Sequence, residues 1–158
     1  MISLKNFSFS YRGTVVFADI NLQFESGCIY GLLGENGVGK TTMLKAISGL
    51  LRPTAGTCTV DDRNSFDREP DFLETIFFLP DEQPLPDDAT PELFFRDFAM
   101  FYPKHDTHKF NSIATELKID TKRKFKKMSL GQQKKALIAS ALALNTDYLL
   151  LDEPTNGL

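Results

Sequence analysis

Apolar and polar residues alternate along the first part of the chain. Phe7, Phe9 and Tyr11 are separated by single polar residues, and Ile20, Leu22 and Phe24 repeat the pattern. A period of two predicts half-buried strands, with Arg12-Gly13 turning the chain between them. Cys28 to Leu33 is different. It is a continuous apolar run and predicts a strand buried on both faces. Beyond it Met43, Leu44, Ile47 and Leu50 switch to helical spacing, and Arg52-Pro53 is the expected stop. Gly56 then leads into a short strand, Thr57 to Val60.

Ile76 to Leu79 predicts a further strand. The stretch from Pro80 to Pro91 holds four prolines among acidic residues and reads as a loop. Thr90-Pro91-Glu92 is a helix start, with a capping hydroxyl, proline at the first helical position and an acid in the first turn. Leu93, Phe94, Phe98 and Phe101 give this helix an apolar stripe, and Tyr102-Pro103 is its expected end. A second helix is predicted from about Thr107 to Leu117, with Phe110, Ile113, Ala114 and Leu117 inward. A third runs from Gln132 to about Leu144. Tyr148 to Leu151 closes the pattern as a second all-apolar run.

Composition narrows the class. The 158 residues suffice for a core, 42% are apolar and 25% charged, and the net charge is -3. These are ordinary values for a globular chain, and the acidic balance argues against a nucleic-acid partner. No stretch approaches the roughly 20 apolar residues that span a bilayer, and the first residues lack the blocks of a secretory signal. Cys28 and Cys58 sit in strand-like runs without ligand spacing, so both are expected as buried, reduced thiols. His105 and His108 read as surface residues. The block Lys122-Arg123-Lys124-Phe125-Lys126-Lys127 reads as a solvated turn.

Two segments carry chemistry. Gly34-Glu35-Asn36-Gly37-Val38-Gly39-Lys40-Thr41 matches G-x-x-x-x-G-K-[ST] between a predicted strand and a predicted helix. The glycines let successive backbone N–H groups point at phosphate oxygens, helped by the helix N-terminus. Lys40 is placed to reach the β- and γ-phosphates, and Thr41 to offer its hydroxyl to Mg²⁺. Further on, the apolar run Tyr148 to Leu151 ends in Asp152-Glu153. Two acids at the C-terminal end of a buried strand suit a metal and a base better than a core.

Glycine loop, Met128-Ser129-Leu130-Gly131-Gln132 and Leu150-Leu151-Asp152-Glu153-Pro154, in that order, resemble the ATP-binding cassette (ABC) ATPases. The resemblance covers nearly the whole chain. It implies an α/β fold: a P-loop core, an antiparallel β portion at the N-terminus and a helical insertion over residues 81–132 of one domain, 1–158. It implies ATP bound by Tyr11, Val16, Gly34, Glu35, Asn36, Gly37, Val38, Gly39, Lys40, Thr41 and Thr42, with Tyr11 stacking on adenine. Mg²⁺ would be held by Thr41, Asp152 and Asp81, the last standing where the family has a glutamine; Gln83 is the other candidate for that role. Glu153 would be the general base, acting with Lys40. Ser129, Gly131 and Gln132 would touch ATP held by a second nucleotide-binding subunit. Met128 and Leu130 depart from the family's usual LSGGQ.

The implied function is ATP binding and hydrolysis that powers a separate membrane permease through nucleotide-dependent dimerisation, at the cytoplasmic face of the membrane. The loop from Pro80 to Pro91 and the phenylalanines Phe94, Phe95, Phe98 and Phe101 lie where the family docks its permease. Two other readings stand beside it. One is a soluble ABC ATPase acting on ribosomes or DNA; the other is an ATP-binding fragment with impaired catalysis. The family continues past Asn156-Gly157-Leu158 with strands, one ending in a histidine at the γ-phosphate, and His105 and His108 precede the acidic strand. The expectation is therefore a cassette incomplete at its C-terminus that hydrolyses ATP poorly.

Overall fold

A computed structural model describes residues 1–82 and 84–156; Gln83, Gly157 and Leu158 lie outside the described residues. The chain divides into two compact units, Met1–Leu73 and Glu74–Leu158.

The first unit is built on a four-stranded sheet in the order β2-β1-β3-β4, antiparallel throughout: β1 Ile2–Tyr11, β2 Thr14–Phe24, β3 Ala55–Val60 and β4 Arg63–Asn64. Arg12 (φ 44°) and Gly13 (φ 91°) form a two-residue turn with Tyr11 opposite Thr14. Positive φ at both central positions matches the twist of the flanking strands. The period-two reading holds on β1, where Phe7 and Phe9 are buried. It holds less on the edge strand β2, where Leu22 is exposed.

Helix α1, Lys40–Ile47, buries Met43, Leu44, Ala46 and Ile47. It ends earlier than Arg52-Pro53. Gly49 has φ 74° and donates to the Ala46 carbonyl, while Leu50 N–H donates to the Lys45 carbonyl at 2.8 Å. This double bond to the last turn is a glycine-terminated helix stop, and it leaves Leu50 exposed beyond the helix. A four-residue helix α2, Pro70–Leu73, completes the unit and buries Phe72.

The apolar run Cys28–Leu33 is not a strand. No ladder joins it among the described residues, and Ile29 and Leu33 are almost fully exposed. An apolar run becomes a doubly buried strand only where neighbours supply hydrogen bonds and cover. The antiparallel sheet does not reach it. Cys28 is accordingly an exposed thiol, whereas Cys58 in β3 is buried and its thiol is pushed up to about 11 by that burial.

The second unit holds the parallel pair β5 Ile76–Leu79 and β6 Tyr148–Leu151, with Ile76 opposite Tyr148 and Leu79 opposite Leu151. A parallel pair needs a long crossover, here supplied by α3 Pro91–Ala99, α4 Thr107–Glu116 and α5 Leu130–Ala143. Thr90 caps α3, its hydroxyl accepting from Leu93 N–H at 3.3 Å. The buried face of α3 is Phe94, Phe95 and Ala99, with Phe98 half-buried; Leu93 and Phe101 point outward and Met100–Tyr102 lie beyond the helix. The stripe shifts because Phe95 stacks on Phe110 of α4 with centroids 4.4 Å apart, and Phe94 meets Phe125 edge-on. Such ring pairs contribute roughly 0.5–1.5 kcal/mol beyond burial. On α4, Phe110 and Ala114 are buried and Ile113 and Leu117 are half-buried.

Candidate functional site

In the first unit the chain passes from Gly34 into α1 through a tight loop. Gly37 (φ 86°) and Gly39 (φ 104°) take left-handed conformations, which side chains with a Cβ avoid. Gly39 is also crowded. A Cβ there would lie 2.7 Å from both Val16 and the Phe17 ring, so β2 presses directly on the loop. Lys40 folds back over it, donating to the Gly34 carbonyl at 2.7 Å and the Glu35 carbonyl at 3.1 Å. The ammonium is thus held within the turn of backbone that opens α1, and Thr41 and Thr42 follow in the first helical turn. Val16 is beside the loop. Tyr11 sits at the hairpin turn, exposed on one side and edge-on to Phe9 at 4.7 Å.

In the second unit the aligned register brings the C-terminal ends of β5 and β6 together. Asp152 N–H donates to the Leu79 carbonyl at 3.0 Å, and the Asp152 side chain is buried at the edge of the pair. Glu153 follows in a left-handed conformation with φ 45°. For a residue other than glycine this costs on the order of 1–3 kcal/mol, and such backbone outliers cluster at functional sites.

Ser129 caps α5. Its hydroxyl accepts from Gln132 N–H at 3.2 Å, and Gln132 Oε1 accepts from Ser129 N–H at 3.1 Å, a reciprocal capping box. Capping uses Ser129 as acceptor only, so its own O–H remains a donor. Leu130, where the usual motif has glycine, is strongly exposed in the first turn.

Asp81, expected as an oxygen donor to magnesium, is engaged by other groups. Lys134 donates to Oδ1 at 2.8 Å and to the Asp81 carbonyl at 3.2 Å; Asn156 Nδ2 donates to Oδ2 at 3.2 Å. The hydrogen bond from Lys134 is the main reason the Asp81 carboxyl lies below the usual carboxylate range. Sequence reasoning missed Lys134. The signal was present: it shares a helical stripe with Leu137 and Ala141, both buried, which marks it as an inward cation. Gln83 lies outside the described residues. His105 and His108 are exposed, and Asp88 draws in Lys124 and Lys126 of the basic block, which hold its carboxyl at about 2.

The sequence profile described as ABC transporter matches residues 17–156. The chain belongs to the ABC transporter family. It is 32% identical to the ABC transporter ATP-binding protein YtrB of Bacillus subtilis, over all of this chain and 54% of that protein. It is also 32% identical to the energy-coupling factor transporter ATP-binding protein EcfA2 of Staphylococcus aureus, over all of this chain and 61% of that one. The chain therefore spans about half to three-fifths of these relatives. Among solved structures, the dimeric ABC transporter cassette MJ0796 matches with TM-score 0.85 and 27% identity over all of this chain and 76% of that one. A post-hydrolysis form of MJ0796 bound to ADP and Pi matches with TM-score 0.85 and 26% identity over the same shares. The fold is thus that of the P-loop ABC ATPase domains, and the family binds ATP. No helix among the described residues is long and apolar enough to cross a membrane.

Proposed function

We propose that this chain is the ATP-binding core of a subunit that powers an ABC transporter through ATP hydrolysis by the whole subunit, working with a separate membrane permease on its cytoplasmic face and closing on a second nucleotide-binding subunit. The observation that carries this is the loop from Gly34 to Thr41, with left-handed Gly37 and Gly39 and the Lys40 ammonium folded over its carbonyls. Backbone N–H groups at a helix start and a cation beside them are the two parts a triphosphate needs. Val16 supports the loop and Tyr11 offers an exposed ring face for adenine. Within the dimer, Ser129 would donate its free O–H to the γ-phosphate of the opposite site, with Gly131 and Gln132 beside it at the positive end of α5.

Hydrolysis follows from Glu153. Its carboxylate takes a proton from water as the water oxygen bonds to the γ-phosphorus and the bond to the β-bridging oxygen breaks, leaving ADP and phosphate. Magnesium, when bound, neutralises charge on the phosphates. This ion keeps waters and phosphate oxygens and takes only one or two protein oxygens; the Thr41 hydroxyl would be the donor from the first unit and the Asp152 carboxylate the donor from the second.

Titration of the chain with a fluorescent ATP analogue and Mg²⁺ tests the reading. Lys40→Ala removes a charge-assisted contact worth on the order of 1.5–3 kcal/mol, so affinity should fall about 10- to 100-fold. Equal affinity in variant and parent would sink the assignment of the loop.

A further inference from the structure

Three segments of the second unit meet at one carboxylate. Asp81 lies two residues past the end of β5, Lys134 lies five residues after Ser129 in α5, and Asn156 lies three residues after Glu153. Lys134 grips the Asp81 loop twice, through Oδ1 at 2.8 Å and through the backbone carbonyl at 3.2 Å. Asn156 closes the other side, 3.2 Å from Oδ2 and 3.4 Å from Oδ1.

The Lys134 side chain is only 8% exposed, against 32% for Asp81. An ammonium in that position is costly to desolvate, and an apolar side chain of similar volume would fill the space at lower cost. A buried ion pair of this kind adds little net stability. Its best-attested use is to select one arrangement of the elements it joins, because small shifts break it. Here those elements are the helix that begins with the Ser129 motif and the turn that follows the acidic end of β6.

The same geometry bears on magnesium. The ion binds oxygen at roughly 2.0–2.1 Å. A divalent cation on Oδ1 would face the Lys134 ammonium across a single oxygen, and one on Oδ2 would compete with the Asn156 amide for that oxygen.

We propose that the Asp81–Lys134 ion pair, closed by Asn156, is a latch that holds the Ser129 end of α5 in register with the acidic end of β6, and that Asp81 serves the nucleotide cycle as a positioning residue rather than as a magnesium ligand. The latch rests on the function proposed above, since register between these two ends matters only if both act on nucleotide.

The test uses the whole chain and four variants: Asp81→Asn, Lys134→Met, the apolar pair Asp81→Leu with Lys134→Met, and Lys134→Arg. Two quantities are read. One is the Mg²⁺ concentration giving half-maximal binding of a fluorescent ATP analogue. The other is amide hydrogen exchange at residues 129–134 and 152–156, against residues 76–79 and 148–151 as an internal reference. A latch predicts roughly tenfold faster exchange in both end segments for Asp81→Asn and for Lys134→Met. It also predicts no further gain in the apolar pair, strand amides unchanged and recovery in Lys134→Arg. The magnesium midpoint should stay within about twofold of the parent in all four.

The apolar pair carries no unpaired buried charge, so it keeps the test readable if a single variant folds poorly. A pair that merely stabilises the unit would raise exchange in the strands as well, and that result overturns the proposal. A magnesium midpoint raised fivefold or more by Asp81→Asn but not by Lys134→Met would make Asp81 a metal ligand and also overturn it. If the parent binds no nucleotide, the functional reading fails and takes the proposal with it. If the parent binds and exchange at 129–134 is unmoved, the latch alone fails.

Discussion

Two apolar runs lead into the glycine loop and into the acidic pair Asp152-Glu153, and they have opposite fates. Tyr148–Leu151 pairs with β5 residue for residue, becomes β6 and aligns Asp152 beside Leu79. Cys28–Leu33, which leads into the glycine loop, joins no ladder among the described residues and turns Ile29 and Leu33 to solvent. Both have the composition of a buried parallel strand. Composition supplies apolar surface, but a strand also needs a neighbour for its N–H and C=O groups. Only the first run has that neighbour. The glycine loop nevertheless keeps its form, because it is set from the other side by Val16 and Phe17 of β2 and by the start of α1.

The comparison can be broken most directly by placing a charge in each run. Leu150→Asp places a carboxylate where the side chain is buried and should cost about 4 kcal/mol or more. Ile29→Asp should change stability by less than about 0.5 kcal/mol, since that side chain is already in water. Urea unfolding of both variants measures the difference. A loss of several kcal/mol in Ile29→Asp would mean that the run is covered in solution.

Thiol chemistry sharpens the same contrast. Cys28 is exposed in the unpaired run, while Cys58 in β3 is buried with its thiol near 11. Because the thiolate is the reactive form, a disulfide reagent at pH 8 should label one site quickly and the other on the order of 10³-fold more slowly, through opening of the sheet. Two fast phases in stopped-flow absorbance would contradict the placement of Cys58.

Much of this was legible in the sequence because it is local. The hairpin turn at Arg12-Gly13, the Thr90 cap, the glycine loop and the pair Asp152-Glu153 are written in adjacent residues and appear where the pattern places them. Three features were not legible, each for a non-local reason. The fate of Cys28–Leu33 depends on partners far away in the chain. The stop of α1 at Gly49 depends on Ser65, whose carbonyl would sit 2.1 Å from a Cβ at Gly49. The buried face of α3 was misplaced because Phe110, in another helix, selects Phe95 over Leu93.

Gly39 tests whether β2 supports the loop as described. Gly39→Ala meets both an unfavourable backbone conformation and the side chains of Val16 and Phe17. The expected loss is about 2 kcal/mol of stability. Binding of the ATP analogue should fall with it, because the loop N–H groups proposed to face the phosphates move. A variant that keeps both would show that β2 yields easily and that the loop holds its own shape.

The smallest effect concerns the ion pair on the β6 side, and its sign follows from linkage. The Asp81 carboxyl has a lower proton affinity in the folded chain than when unfolded, chiefly through the hydrogen bond from Lys134. The unfolded chain therefore binds the proton first as pH falls. Stability from this group is fully present above the unfolded carboxyl range, near pH 4, and is lost progressively as pH drops through the folded value. The Asp81 side chain is one-third exposed, so solvent screening reduces the contribution to about 1 kcal/mol. Melting temperatures of the parent and of the apolar pair Asp81→Leu with Lys134→Met, measured from pH 6 down to pH 3, isolate it. The parent should lose more stability across that window, so its melting temperature falls relative to that of the apolar pair as pH drops. Parallel curves would show that Asp81 titrates alike in the folded and unfolded chain, and that Lys134 does not hold it in solution as it does in the structure.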